Sequence, residues 1–301
     1  MNAASIPMNH QRLGRMNAAY GAFVLISVVV FWKACTSLVS YSLDNESSSH
    51  IILIPFVSAF LLVIERRRIF TAVRSSFVIG PGVVLAGILL YLVVARHASA
   101  WPGNSPLSAT ALAIILVWLG GFMCCYGLRA ARAAAFPLLF LLLMIPVPDK
   151  ALDWMIHLLQ QGSTDVTCFF FNLFGVPYLR NGFVLSLPTV NIEVAKECSG
   201  IRSSIALFIT CLLAAHFYLR TWWKILLFVV LVFPLVVVKN GIRIATLTLL
   251  SIYVDPGFLS GRLHHEGGFV FFLLTLLLLF PVFLLLEKSE HRRSSTRTAA
   301  T

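Results

Sequence analysis

Residues 222–244, "WWKILLFVVLVFPLVVVKNGIRI", decide what kind of fold this chain can have. From Ile225 to Val238 no side chain carries a charge or a strong hydrogen-bonding group, and the run then meets Lys239, Asn240 and Arg243. A helix rises about 1.5 Å per residue, so Lys224 to Arg243 spans about 28 Å, close to the roughly 30 Å hydrocarbon core of a bilayer. A basic residue near each end can reach the headgroups. The segment therefore reads as a membrane-spanning helix, with Pro234 predicting a kink within it.

Runs of the same kind recur along all 301 residues, of which 59% are hydrophobic and 12% charged. That balance excludes an ordinary soluble domain. Spans are predicted at about 18–39, 48–64, 77–95, 107–126, 134–148, 201–219, 223–243 and 268–286. The fold class is thus an all-α polytopic membrane protein with about eight transmembrane helices. Arg12 and Arg15 precede the first segment, which continues through aromatic residues without an A-x-A site and is expected to be a retained span rather than a cleaved signal. Residues 1–287 are expected to form a single transmembrane domain and 288–301 a polar, disordered cytoplasmic tail.

The net charge of +11 is a topology signal rather than a nucleic-acid footprint. With the N-terminus cytoplasmic, Arg12, Arg15, Arg66, Arg67, Arg68, Arg74, Arg129, Arg132, Arg220, Lys224, Lys288, Arg292, Arg293 and Arg297 fall on the cytoplasmic side. Among the acidic residues only Glu65, Glu287 and Glu290 join them. This asymmetry obeys the positive-inside rule and predicts both termini in the cytoplasm.

Two polar islands then lie on the opposite, extracytoplasmic face. The first, 149–200, opens with "ALDWMIHLLQQGSTDVTCFFFNLFG", read as one interfacial helix or two short ones around Gly162. It continues with alternating Phe183, Leu185, Leu187 and Val190, Ile192, Val194 about Pro188-Thr189, which predicts a small β-hairpin. The second follows Arg243: 244–262 is expected to lie at the interface and ends in "DPGFLSGRLHHEGG". Parity therefore puts Cys198, Arg243 and the His264/His265 pair on one membrane face.

Of six cysteines, Cys35, Cys124, Cys125, Cys168 and Cys211 have apolar surroundings, and only Cys198 stands in a polar stretch, "EVAKECSGIRSSIALF" (193–208). No C-x-x-C or Cys/His cluster suggests a metal, and no cofactor is implied. Cys198 precedes the predicted start of a span, where free N–H groups and the helix dipole favour a thiolate, and Arg202 lies one turn on. Arg243 could hold that thiolate or the oxyanion of a tetrahedral intermediate, and a histidine could shuttle the proton. Glu193 and Glu197 read as exposed loop charges or as supports for the site. Lys196, Arg202, Lys239 and Arg262 would face an acidic recognition motif.

The ordered triplet "EVAKECSGIRSS", "PLVVVKNGIRI" and "HHEGGFVFF" resembles the exosortase/archaeosortase family of membrane cysteine transpeptidases. "SSSHIILIPFVSAFLLVIERRR", "FPLLFLLLMIPVP" and "LFGVPYLRNGFVLSLP" also look like that family, although Ile51 stands where a glycine often follows the histidine. The resemblance covers about 48–285. It implies that Cys198 is the nucleophile, and that Arg243 of the N-x-x-R motif (with Asn240) supports the transition state. It further implies His264 as acid/base, since its spacing to Gly268 fits H-x-x-x-G, with His265 as the alternative. The implied partners are membrane lipid and exported proteins carrying a C-terminal sorting signal: a short motif such as Pro-Glu-Pro, a transmembrane helix and a basic tail. The acyl group would pass to an amine acceptor that the sequence does not identify. The implied location is the inner membrane. Two other readings remain at this stage. A transporter would place its functional groups near mid-bilayer, and a non-catalytic assembly factor for surface polymers would not need Cys198.

Overall fold

The computed structural model describes residues 10–71, 79–196, 199–259 and 268–298, which divide into two compact units, 1–151 and 152–301. In the first unit, α1 (His10–Val30) and α2 (Trp32–Asp44) are separated at Phe31. The first apolar span is accordingly Gln11–Val30 rather than 18–39. The sequence beyond Phe31, "WKACTSLVSYSLD", is too polar to extend a lipid-facing stretch.

Next come α3 (Ile54–Ile64), α4 (Arg66–Ile69), α5 (Ile79–His97), α6 (Ser105–Ala133) and α7 (Ala135–Phe140). The most extensively packed helix pair of this unit is α5–α6, which closes on glycines. A Cβ on Gly120 would lie 2.6 Å from the backbone nitrogen of Val84, and one on Gly87 would lie 2.8 Å from the carbonyl oxygen of Ala113. With little hydrophobic drive between helices in lipid, such close backbone approach supplies the packing.

Two of the eight predicted spans are short. The segment 48–64 is helical only over α3, about 16 Å long. The segment 134–148 is α7 plus the 3₁₀ turn Leu141–Met144, ending where Pro146 and Pro148 remove backbone donors. The carbonyls freed by these breaks are satisfied: Ser58 donates to Pro137 O and Ser108 to Pro146 O, each at 2.7 Å. Backbone groups at membrane depth need such partners. Among the described residues six helices are long and apolar enough to cross a membrane, or seven if Ala135–Met144 and Asp149–Leu173 form one broken span. The chain is an all-α polytopic membrane protein.

The second unit contains most of α8 (Asp149–Leu173), then β1 (Leu179–Asn181), β2 (Val184–Ser186), β3 (Asn191–Glu193), α9 (Ile201–Tyr218), α10 (Trp222–Tyr253) and α11 (Gly268–Thr298). Helix α8 is continuous through Gly162, not split there. Its glycine serves packing, since a Cβ on Gly162 would lie 2.7 Å from Val237 Cγ1 on α10.

The predicted hairpin is present as β2–β3, with Leu185 opposite Ile192, and β1 adds a third antiparallel strand on the β2 edge. Leu185, Leu187, Ile192 and Val194 are buried, as their alternation required. Leu185, Leu187 and Ile192 pack with Cys168 and Phe171 of α8 and with Ala245 of α10. That packing explains a second departure from the sequence reading. The residues after Arg243 do not lie apart at the interface; through Tyr253 they continue α10, and the sheet covers them. At 32 residues, α10 is about 48 Å long and outruns a bilayer core by about 18 Å. Helix α11 likewise continues past Glu287, where the polar tail was expected to begin.

Candidate active site

Helix α8 carries a polar stripe at 3.6-residue spacing: Gln160, Ser163, Thr164 and Thr167, all buried. Each member has a partner. Thr164 Oγ1 donates to Gln160 O and Thr167 Oγ1 to Ser163 O, each at 2.7 Å. Gln160 Nε2 donates to Val194 O at 2.7 Å, which fixes the strand leaving the sheet four residues before Cys198. Ser163 Oγ accepts from Asn240 Nδ2 at 3.0 Å. Thr167 Oγ1 also reaches Gly241 O at 3.3 Å. Gly241 makes this possible, because a Cβ there would fall 2.5 Å from Val166 Cβ. The stripe therefore clasps the "KNGIR" segment of α10.

The third component is the start of α9. Gly200 caps it with φ +75° and ψ 16°, a left-handed conformation that glycine adopts without a Cβ clash. Its carbonyl accepts from Ser203 Oγ at 2.9 Å and Ser204 Oγ at 2.7 Å, and from the Ser204 backbone N–H at 2.9 Å. Ser203 Oγ in turn accepts from Lys239 Nζ at 2.6 Å. Asn240 Oδ1 lies 3.3 Å from where a Gly200 Cβ would be. The side chains of Lys239 and Asn240, 4% and 0% exposed, thus grip the Gly200 turn, two residues after Cys198 in sequence. The neighbouring Ser199 is fully buried, and its hydroxyl has no hydrogen-bond partner among the described residues.

Of the residues singled out by sequence, Arg243 lies one turn beyond Lys239 and Asn240 on α10 and is half-buried. Arg202 is exposed in the first turn of α9, and Glu193 is exposed on β3. Cys198, Glu197, His264, His265 and Arg262 lie outside the described residues. Two cations expected to face an acidic motif are otherwise engaged. Lys196 pairs with Asp153 of α8 at 2.9 Å, and Lys239 is buried on Ser203. Sequence reasoning missed Gln160, Ser163 and Ser203. The signal was present in the first two, since "QQGSTDVT" (160–167) repeats polar groups at helical spacing.

The fold and these contacts define a class: a polytopic helical membrane protein in which three helices converge on a buried polar cluster beside a small sheet. Within that class the chain belongs to the transmembrane exosortase family, whose family model matches residues 32–281. Comparison with curated proteins and with solved structures gives no match.

Proposed function

We propose that this exosortase is a membrane cysteine endopeptidase and transpeptidase. Cys198 as thiolate attacks the carbonyl carbon of the scissile peptide bond. The guanidinium of Arg243 stabilises the oxyanion of the tetrahedral intermediate, and His264, as imidazolium, protonates the leaving amine. The C–N bond breaks and a thioester to Cys198 forms. An amine acceptor (or water) then attacks the thioester, with the imidazole taking its proton, and the thiolate is regenerated. His265 is the alternative proton carrier. Asn240 is assigned to positioning, and Arg202, Glu193 and Glu197 to the rim.

The substrates are exported proteins with a C-terminal sorting signal of the Pro-Glu-Pro kind, cut at the extracytoplasmic face of the inner membrane. A signal with its own membrane helix presents its cleavage site at an interface, where a reaction centre near the end of a span can meet it.

The observation that carries this reading is the contact of Gly200 with Asn240. It joins the turn after Cys198 to the N-x-x-R segment that bears Arg243, although 40 residues separate them in sequence. The test is to express Cys198→Ala and Cys198→Ser with a tagged substrate. Both variants should accumulate in the membrane with the substrate uncut, while the native chain should yield a thioester-linked fragment on the peptide containing Cys198, detected by mass. Normal processing by Cys198→Ala overturns the proposal.

A further inference from the structure

Lys239 is the most unusual charge in the second unit. It is almost wholly buried, yet among the described residues its ammonium bonds a neutral hydroxyl, Ser203 Oγ at 2.6 Å. A buried ammonium ordinarily has a carboxylate beside it, because an unpaired charge is costly to take out of water. Among the described residues no carboxylate pairs with Lys239.

The charged groups on the surrounding elements do not supply one. On α8, Asp153 is taken by Lys196 and Asp165 by Arg180 at 2.6 Å, and His157 stacks edge-on with Phe183. Arg202 on α9 and Arg243 on α10 are themselves cations, and Glu193 on β3 is exposed. A buried ammonium therefore sits where α9 begins, at the end to which the helix dipole adds positive charge. The second independent mark is Ser199, whose buried hydroxyl is left without a partner at the same turn. The ammonium thus has no carboxylate partner, and the hydroxyl no hydrogen-bond partner, among the described side chains.

We infer that Lys239 is a further positioning residue for the reaction at Cys198: anchored on Ser203, it fixes the Gly200 turn and supplies a positive charge that favours the Cys198 thiolate. This rests on Cys198 being the nucleophile proposed above. Lys239 acts through charge and through the Ser203–Gly200 hydrogen bonds and need not touch the substrate. It thereby leaves Arg243 for the oxyanion, dividing between two cations the two roles that the sequence leaves open for Arg243.

The experiment measures the rate of Cys198 alkylation against pH in the full-length, membrane-inserted protein. Trypsin cuts after Lys196 and Arg202, so Cys198 is read alone on the peptide 197–202. In Lys239→Met the midpoint should rise by about one unit, with an approximately tenfold slower reaction at neutral pH. Lys239→Arg, which keeps the charge, should stay near the native midpoint. Ser203→Ala keeps the ammonium but removes its anchor, and should move the midpoint the same way by a smaller amount; it decides the matter if Lys239→Met does not accumulate. An unchanged midpoint in the neutral variant, or in Ser203→Ala when that variant alone is available, overturns the inference. The two proposals fail separately. Cys198→Ala that still processes substrate removes the nucleophile assignment whatever Lys239 does, whereas an inactive Cys198→Ala with a flat response to Lys239 removes only this inference.

Discussion

At Gly200 a single missing Cβ controls the approach of two helices. The residue has φ +75°, and a methyl group there would meet Asn240 Oδ1 at 3.3 Å. A left-handed conformation costs an ordinary residue about 1–2 kcal/mol. Gly200→Ala should therefore lower the stability of the purified protein by about that amount in a denaturant titration. It should slow substrate processing by more than that loss of fold explains, because the turn follows Cys198 directly. Retained stability together with full processing would show that the turn is not constrained as described. Arg243 offers a contrasting case, in which the proposed mechanism puts chemistry rather than conformation at stake. A guanidinium presents a planar fork of donors and an ammonium a point charge, so Arg243→Lys preserves the charge but not the directed pair of N–H groups. Loss of such donors to a developing oxyanion costs roughly a hundredfold in turnover. Arg243→Lys should show a loss of that order in single-turnover processing, with the thermal midpoint near that of the native chain. Processing within a few-fold of native would remove Arg243 from the transition state.

Among the elements, α8 shows where the sequence was legible and where it was not. Its polar residues and Gly162 suggested an interfacial helix or a break, because composition alone cannot tell a polar stripe facing headgroups from one buried against another helix. The structure resolves this through Gly162 and Gly241, where α8 meets α10 too closely for a Cβ on either glycine. The same ambiguity hid the continuation of α10. Lys239, Asn240 and Arg243 marked the end of an apolar run correctly, but polar residues matched by Ser163 and Ser203 do not end a helix. The hairpin was readable because period-two burial has few alternative causes. Strand β1, whose three residues are all exposed, left no such pattern. Gln160 connects helix to sheet, and its role can be tested. Gln160→Leu removes the donor to Val194 O and leaves a carbonyl unpaired beside the buried Val194 side chain, at a cost of about 1–3 kcal/mol. The loss should appear as faster hydrogen exchange of the amides in 190–196, with α11 unaffected. Exchange that stays slow throughout would mean that the sheet holds its place without α8.

For the whole molecule, the spans were legible where a long apolar run ended in charge, and least legible where polar and apolar residues mix beyond a break, as in "WKACTSLVSYSLD" after Phe31. Orientation depends on a different property, the distribution of Lys and Arg between loops. A buried cluster at the start of α10 limits the possible topologies. Lys224 was read as a cytoplasmic cation, and its side chain is 1% exposed: Nζ donates to Ser289 Oγ at 2.7 Å and lies 3.8 Å from Glu290, while Thr221 also bonds Glu290. This cluster ties the start of α10 to the end of α11, so these two ends must lie on one side of the membrane. Helix α10 carries Arg243 about 28 Å from that cluster, close to the thickness of a bilayer core. Reporters that are active only in the cytoplasm or only outside, fused after residue 301 and inserted at the exposed turn around Gly182, should give opposite answers: the C-terminal fusion cytoplasmic and the sheet insertion external. Because α10 separates the Lys224 cluster from the sheet packed on Ala245 by about the thickness of a bilayer core, opposite signals are expected whichever way the protein inserts. The sign of the difference tests the charge-based orientation, and with it the proposal that processing occurs outside the cell. Equal signals would mean that α10 does not span the membrane, and the site would then have no interface at which to meet an exported chain.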